Sequence, residues 1–305
     1  MPNSYVYTAA GGPEVEAFAD LPRPTPGEGE LLVAVRAAGV NPADWKLRGG
    51  FRIPGMSTTY PMVFGLEVAG TVVEVGPGVD GFAVGDDVFG NPSTGGYAEF
   101  TLLPAAAAAR RPAALSFTDA AALPVAGGTA YDGLAQLALP PGATLLVTGV
   151  GGGVGVAVAQ LARHGGLRVL GTASEAKREF VGSLGVVHVA YGPGTVERLR
   201  AAAPDGVDAV YDLVGGAALE EAAELLADRS KLITAADRVA AAKLGGAGVE
   251  RDRSGRVYTE LARLAVDGVL DPRVSATYPL SQAGAALRAV EDGHAQGKIV
   301  IEVAP

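Results

Sequence analysis

The chain predicts an α/β protein in which a doubly wound parallel sheet is inserted into a β-rich domain. Three observations carry this reading. From residue 144 onward, apolar runs alternate with helical patterns: "TLLVTG", "RVLGTA", "VVHVAY", "VDAVYDLVG" and "KLITAA". Such alternation argues for right-handed crossovers and a parallel sheet covered on both faces. Before it, residues 5–104 break short Val/Leu-rich runs with Gly/Pro corners, as curled antiparallel strands do. After it, "RVSATYPL", a helical "SQAGAALRAVEDG" and a last strand "KIVIEV" suit a return to the first domain. The expected divisions are 1–115 for the β-rich domain, 116–268 for the parallel-sheet domain and 269–305 for the return.

The elements follow in order. "ELLVAVRAAGV", "VAGTVVEVGPGV", "GDDVFG" and "GGYAEFTLLP" supply the first strands, and the alanine run 105–109 is expected to be a plain connector. Ser116 and Thr118 stand where either hydroxyl can cap the helical stretch that runs on through "DAAALPVAGGTAYDGLAQLA". "TLLVTG" is a buried-strand pattern, and "VGVAVAQLARHGG" is a helix ended by Gly165 and Gly166. "GRVYTELARLAVDGVL" closes the parallel-sheet domain as a further helix.

Bulk composition narrows the function. The 305 residues are 49% hydrophobic and carry a formal charge of −9. No basic run is longer than two or three residues, so a phosphate-backbone partner is not expected, whether DNA or RNA. No uninterrupted apolar run reaches about 18 residues, so no membrane span is expected. The first residues lack a basic and apolar leader pattern, which predicts a cytoplasmic protein. Cysteine is absent, which removes disulfides, thiol nucleophiles and thiolate-held zinc.

Between the first buried strand and its helix stand Gly149, Gly151, Gly152, Gly153 and Gly155, with Val154 opening the helix. A dinucleotide site needs glycines here. They allow the tight turn, the approach of a pyrophosphate to bare backbone and the close packing of helix on strand. The diphosphate then meets free N–H groups at the positive end of the helix dipole. The strict G-x-G-x-x-G register fails by one residue, because Val150 holds its first position, and Gly149, Gly152 and Gly155 give G-x-x-G-x-x-G instead.

The next strand ends at Ser174, where an NAD site usually presents a carboxylate to the ribose hydroxyls. Ser174 with Lys177 and Arg178 behind it fits the 2′-phosphate of NADPH, which a carboxylate would repel. A competing reading has Glu175 turning inward for NAD while the two cations form a solvated face.

With these segments in view, the chain resembles the medium-chain dehydrogenase/reductase superfamily, and within it the zinc-independent quinone oxidoreductase (zeta-crystallin-like) branch. The resemblance rests on "AAGVNPADWKLRGG", "PMVFGLEVAGTVVEVGPGV", "GDDVFG", "GGYAEF", "LPVAGGTAYDGL", the glycine turn and "GHAQGKIVI". It implies a GroES-like domain interrupted by a Rossmann domain, an NADPH-dependent reduction of a quinone or α,β-unsaturated carbonyl, and a homo-oligomer, with a dimer favoured. Zinc-dependent members carry Cys after "AAGV" and His in a "GHE" block, where this chain has Asn41 and Leu66. His164, His188 and His294 are scattered, so no catalytic zinc is expected. Without a Lewis acid the acceptor must take hydride readily, held about 3–3.5 Å from the donor carbon and polarised by hydrogen-bond donors.

By resemblance Asn41 and Asp44 lie beside the nicotinamide, with Asn41 orienting cofactor or substrate. An Asn-Pro turn and a structural hydrogen bond are the plainer roles of the two. Lys46 stands where some relatives carry a proton-donating Tyr, and Tyr60 is a second candidate donor; a solvated lysine and a packed ring compete with them. Thr129 matches a position near the nicotinamide, and Tyr191 one that flanks the 2′-phosphate in some relatives. Leu213, Val214 and Gly215 lie at the carboxyl edge of the fourth strand, and Ala235 follows the fifth. Lys298 belongs to a family block but has no role assignable from its sequence context. Two other readings share these residues: an NADPH-binding sensor without turnover, and an enoyl-thioester reductase.

Overall fold

The computed structural model describes residues 3–52, 59–293 and 295–304. His294, expected to follow a helix, lies outside the described residues. Two compact units divide the chain: Met1–Val125 with Arg253–Val266 and Val274–Pro305, and Ala126–Asp252 with Asp267–Arg273.

The first unit is built on the strand Glu30–Val40, eleven residues of which eight are buried and three half-buried. It pairs antiparallel with Val68–Val75, Phe100–Pro104 and Lys298–Glu302. Two register shifts against Val68–Val75 leave one extra residue on each strand, Val73 on one and Arg36 on the other, the device that bends and curls a sheet. Asp87–Gly90 and Ala108–Arg110 extend this sheet on one side, and Val274–Pro279 lies beyond Lys298–Glu302 on the other. A smaller sheet holds Glu16–Ala19, Ser4–Tyr7 and Met62–Val63. Tyr5, Tyr7, Phe64 and Tyr97 pack beside it with Val35, Val40 and Leu287.

The second unit is a six-stranded sheet in the order Val187–Ala190, Arg168–Ala173, Thr144–Thr148, Ala209–Asp212, Leu232–Thr234, Ala247–Gly248. Every pair is parallel. All five strand runs expected from the sequence are present. The sixth escaped notice because two residues, Ala and Gly, make no hydrophobic period. From Thr144–Thr148 the chain winds first to one side and then, at Ala209–Asp212, to the other. The carboxyl ends of these two strands therefore flank the switch point where open α/β sheets bind ligands.

Three local expectations are corrected. The alanine run is no connector: Ala108–Arg110 is a strand, and Ala108 and Ala109 are core residues of the first unit. The helical stretch after Ser116 is two helices, Phe117–Ala121 and Ala126–Leu137. Pro124 lies between them, lacking the N–H that a continuous helix would need there. Ser116, not Thr118, is the cap, its Oγ accepting the Asp119 N–H at 2.9 Å. The helix Gly255–Val266 packs in the first unit, although the sequence texture assigns it to the parallel-sheet domain. Its apolar stripe of Val257, Tyr258 and Leu261 is buried, and Tyr258 donates its hydroxyl to Asn91 Oδ1. Among the described residues no helix is long and apolar enough to cross a membrane.

Candidate cofactor site and buried polar cluster

In the second unit the glycine turn joins Thr144–Thr148 to the helix Gly153–His164. Each glycine meets a different constraint. Gly149 has φ +68°, a left-handed turn conformation that a side chain disfavours. A methyl at Gly155 would stand 2.5 Å from Val150 Cα and 2.6 Å from two carbonyl oxygens, so the helix packs here backbone to backbone. A methyl at Gly152 would meet only Gly149 O, at 3.6 Å; this is the open face of the turn. At Gly151 it would fall 2.8 Å from Lys177 Cδ. The bare backbone of Gly151 thus seats the lysine stem, and burial pulls the Lys177 pKa below its ordinary value. The N–H groups of Gly153, Val154 and Gly155 open the helix and have no carbonyl one turn back to bond.

The strand tip sharpens the question of the second ribose. Ser174 O accepts the Lys177 N–H at 3.0 Å and the His188 ring Nε2–H at 3.2 Å, which fixes the turn after Arg168–Ala173. Glu175 does not turn inward. Its two oxygens accept from Arg178 Nε at 2.5 Å and Nη2 at 2.8 Å, both side chains being exposed. This bond holds the Glu175 carboxyl below its ordinary pKa. Tyr191 donates its N–H to Ala173 O, and its side chain, 65% exposed, lies outside the core.

Opposite this turn, Asp212 organises three loops. Its Oδ1 accepts from Thr148 Oγ1 at 2.7 Å and from the N–H groups of Val214 and Gly215, both at 3.1 Å. Its Oδ2 accepts from Thr234 Oγ1 at 2.6 Å, and its backbone oxygen from the Ala235 N–H at 2.9 Å. Thr148 Oγ1 in turn accepts the Leu213 N–H. The carboxyl ends of three adjacent strands are thereby tied together, and Val214 reaches within 3.0 Å of a methyl placed on Gly149. The sequence reading singled out Leu213, Val214, Gly215 and Ala235 but passed over Asp212, Thr148 and Thr234, which hold them. An Asp ending an apolar strand with Thr on both neighbouring strands was the available signal. Thr129 is engaged within the protein: its hydroxyl accepts from Arg251 Nη1 and its carbonyl from the Tyr211 hydroxyl.

In the first unit, Asn41 and Asp44 come together and Lys46 and Tyr60 stand apart from them. Asn41 caps the helix Pro42–Arg48, and Asp44 Oδ2 accepts the Asn41 N–H at 2.9 Å and the Tyr97 hydroxyl at 2.8 Å. Asp44 is buried, its Oδ1 has no partner, and burial pushes its pKa up to about 7. The Tyr97 hydroxyl is raised well above its ordinary value, by burial and by that carboxyl. Lys46 is exposed with its ammonium 5.7 Å from the Trp45 ring centre. Tyr60 packs edge-on against Tyr7, and its oxygen accepts from Arg52 Nη2 at 2.7 Å.

The Asn41 side chain takes part in the capping box of its own turn and also reaches beyond it. It lies between two residues the sequence left without a role. Lys298 Nζ donates to Asn41 Oδ1 at 2.7 Å, Glu67 Oε1 at 2.7 Å and Val40 O at 3.0 Å. Asn41 Nδ2 donates to Glu67 Oε1 at 2.8 Å, and Glu67 Oε2 accepts the Val125 N–H at 2.7 Å. Nothing in a single sequence pairs residues 41, 67 and 298; only the strand Lys298–Glu302 running against Glu30–Val40 does so.

A glycine-turn nucleotide unit joined to a curled β unit defines an alcohol-dehydrogenase-like reductase, and comparison with known proteins agrees. Residues 27–113 match the alcohol dehydrogenase GroES-like domain and residues 184–301 the zinc-binding dehydrogenase domain. The chain is 32% identical over 317 residues to the 2-methylene-furan-3-one reductase of Solanum lycopersicum, covering 99% of itself and 79% of that protein. It is equally identical to the chloroplastic NADPH-dependent alkenal/one oxidoreductase of Arabidopsis thaliana, covering 80% of it. The quinone oxidoreductase of Coxiella burnetii superposes with a TM-score of 0.90 at 28% identity, over 99% of both chains. The chain belongs to the medium-chain dehydrogenase/reductase superfamily.

Proposed function

We propose that the chain is an NADPH-dependent oxidoreductase that reduces a quinone or an α,β-unsaturated carbonyl without a metal. One observation carries the cofactor choice: Lys177 lies on the glycine turn beside a strand tip whose nearest carboxylate, Glu175, is taken by Arg178. The ribose hydroxyls of NADH would find no free carboxylate there, whereas a 2′-phosphate meets cations. The name of the Arabidopsis relative supports the same cofactor.

NADPH, when bound, supplies the hydride. The protein's part is to hold it. The open face at Gly152 and the N–H groups of Gly153, Val154 and Gly155 receive the pyrophosphate. Lys177, Ser174 and Tyr191 take the 2′-phosphate side. Arg178 joins them by exchanging Glu175 for phosphate. Asp212 keeps the Leu213–Gly215 and Ala235 loops in place, and Thr129 keeps the helix Ala126–Leu137 tied to Arg251.

The residues do not fit zinc. The sequence has no cysteine, Leu66 offers no ligand atom, and no cluster of three His, Cys, Asp or Glu side chains occurs among the described residues. No step is therefore routed through a metal, and acceptors that take hydride at conjugated carbon are the fitting class. On the family resemblance, we extend the reading to a homodimer.

The test is NADPH and NADH titration by nicotinamide fluorescence, followed by turnover with a panel of quinones and enones. Tighter binding of NADPH with turnover of at least one acceptor is expected. Binding without turnover of any would end the enzymatic reading.

A further inference from the structure

Asp212 ties its loops with a group that has nowhere to put a proton. It is fully buried, as are Thr148 and Thr234 beside it. A hydroxyl has one hydrogen to give and two lone pairs. Thr234 Oγ1 accepts the Ala236 and Asp237 N–H groups at 2.9 and 3.1 Å, so its hydrogen goes to Asp212 Oδ2 at 2.6 Å. Thr148 Oγ1 accepts the Leu213 N–H, and Asp212 is the only acceptor its hydrogen meets among the described residues. The Val214 and Gly215 N–H groups complete the set, Gly215 reaching both carboxyl oxygens at 3.1 Å. A proton on Asp212 would leave itself or a hydroxyl hydrogen without an acceptor, so the group stands as a carboxylate. Among the described residues no cation pairs with it. Its charge is held by donors without being cancelled, and in a dry interior such a charge acts at a distance.

The order of the sheet sets this charge along the cofactor. Ser174 and Lys177 follow Arg168–Ala173, the glycine turn follows the adjacent Thr144–Thr148, and Asp212 ends the strand after that. A dinucleotide whose 2′-phosphate meets Lys177 and whose pyrophosphate crosses the glycine turn continues toward Ala209–Asp212 and Leu232–Thr234. Its nicotinamide half then lies over the loops that Asp212 anchors. We propose that the Asp212 charge favours the positively charged nicotinamide ring of NADP+ over the neutral ring of NADPH, which makes bound NADPH a stronger hydride donor. This deepens the NADPH reading and rests on it.

The intact chain is titrated by calorimetry with NADP+, NADPH and 2′-phospho-ADP-ribose, which has the same phosphates and no nicotinamide. Asp212→Asn should weaken NADP+ about tenfold relative to NADPH, a rise of about 30 mV in the potential of the bound couple, while 2′-phospho-ADP-ribose follows NADPH. An NADP+ to NADPH affinity ratio within about twofold of the wild-type ratio would overturn the inference. So would a loss of 2′-phospho-ADP-ribose binding as large as that of NADP+, since a disturbed scaffold would then explain both. Should Asp212→Asn lose its cooperative melting transition, Asp212→Ser takes its place under the same outcomes, its smaller neutral side chain letting water reach the released donors. Wild-type protein that binds none of the three ligands, seen before any variant is compared, fails the NADPH reading itself and takes the inference with it.

Discussion

The two polar centres of this protein are built on opposite principles. In the first unit, Asn41, Glu67 and Lys298 are 4%, 0% and 3% exposed and bond almost wholly to one another. Charged groups removed from water are tolerable only when so completely paired. In the second unit, the glycine turn leaves backbone N–H groups at a helix start, and the adjoining cations and loops are partly or wholly exposed. A site that binds a large anion must keep donors in reserve; a cluster that spends its donors internally shapes what stands next to it. The density of charge is thus a poor guide to where a ligand binds, and the groups left over are a better one.

The largest expected effect strikes the open centre through its backbone. Gly155→Ala places a methyl 2.5 Å from Val150 Cα, with no flexible side chain to give way. It should lower stability by about 1–3 kcal/mol and abolish measurable NADPH binding. Calorimetric melting and cofactor fluorescence report both; a variant that melts and binds as the wild type does would show that the helix can shift without cost.

Next comes the closed centre, through pH. The Asp44 pKa stands near 7 in the folded chain against 3.8 for the free side chain. The folded state thus keeps its proton where the unfolded state has lost it. Stability from this group is complete below about pH 4 and is lost progressively as pH rises from there to about 7, by something on the order of 4 kcal/mol. Asp44→Asn should flatten that part of the denaturation profile, with stability above pH 7 closer to its value at pH 5. A profile unchanged by the substitution would place the titration elsewhere.

Two smaller changes separate the cations of the open centre. Lys177→Ala should weaken NADPH about tenfold or more, the scale of a charge-assisted hydrogen bond, and leave NADH nearly unchanged. Equal losses for both cofactors would mean that Lys177 serves the turn and not the 2′-phosphate. Glu175→Gln releases Arg178, whose ion pair is exposed and so weak. NADPH should bind about twofold to threefold more tightly at low salt, the gain fading as salt is raised; weaker binding would show that the pair is needed intact.

Much of the open centre was legible in the residues alone because its signals are local. A glycine turn, the strand before it and the helix after it lie within about twenty consecutive positions, and the cations follow at the next strand tip. The closed centre was half hidden. "NPAD" marked Asn41 and Asp44, but their partners Glu67, Tyr97 and Lys298 lie 26, 53 and 257 positions from the residues they bond. The helix Gly255–Val266 was misplaced for the same reason, since its amphipathic period announces a buried face without naming what covers it.

The sequence by itself determined the alternation of strands and helices, the glycine turn, the absence of cysteine and the neutral strand tip, all of which follow from side chains acting on their own stretch of backbone. Only the tertiary structure decided that Asp212 ties three loops and that Asn41 is held between an acid and a base. Those outcomes depend on hydrogen-bond partners meeting within about 3 Å, a distance that the chain reaches only after its strands have taken their order.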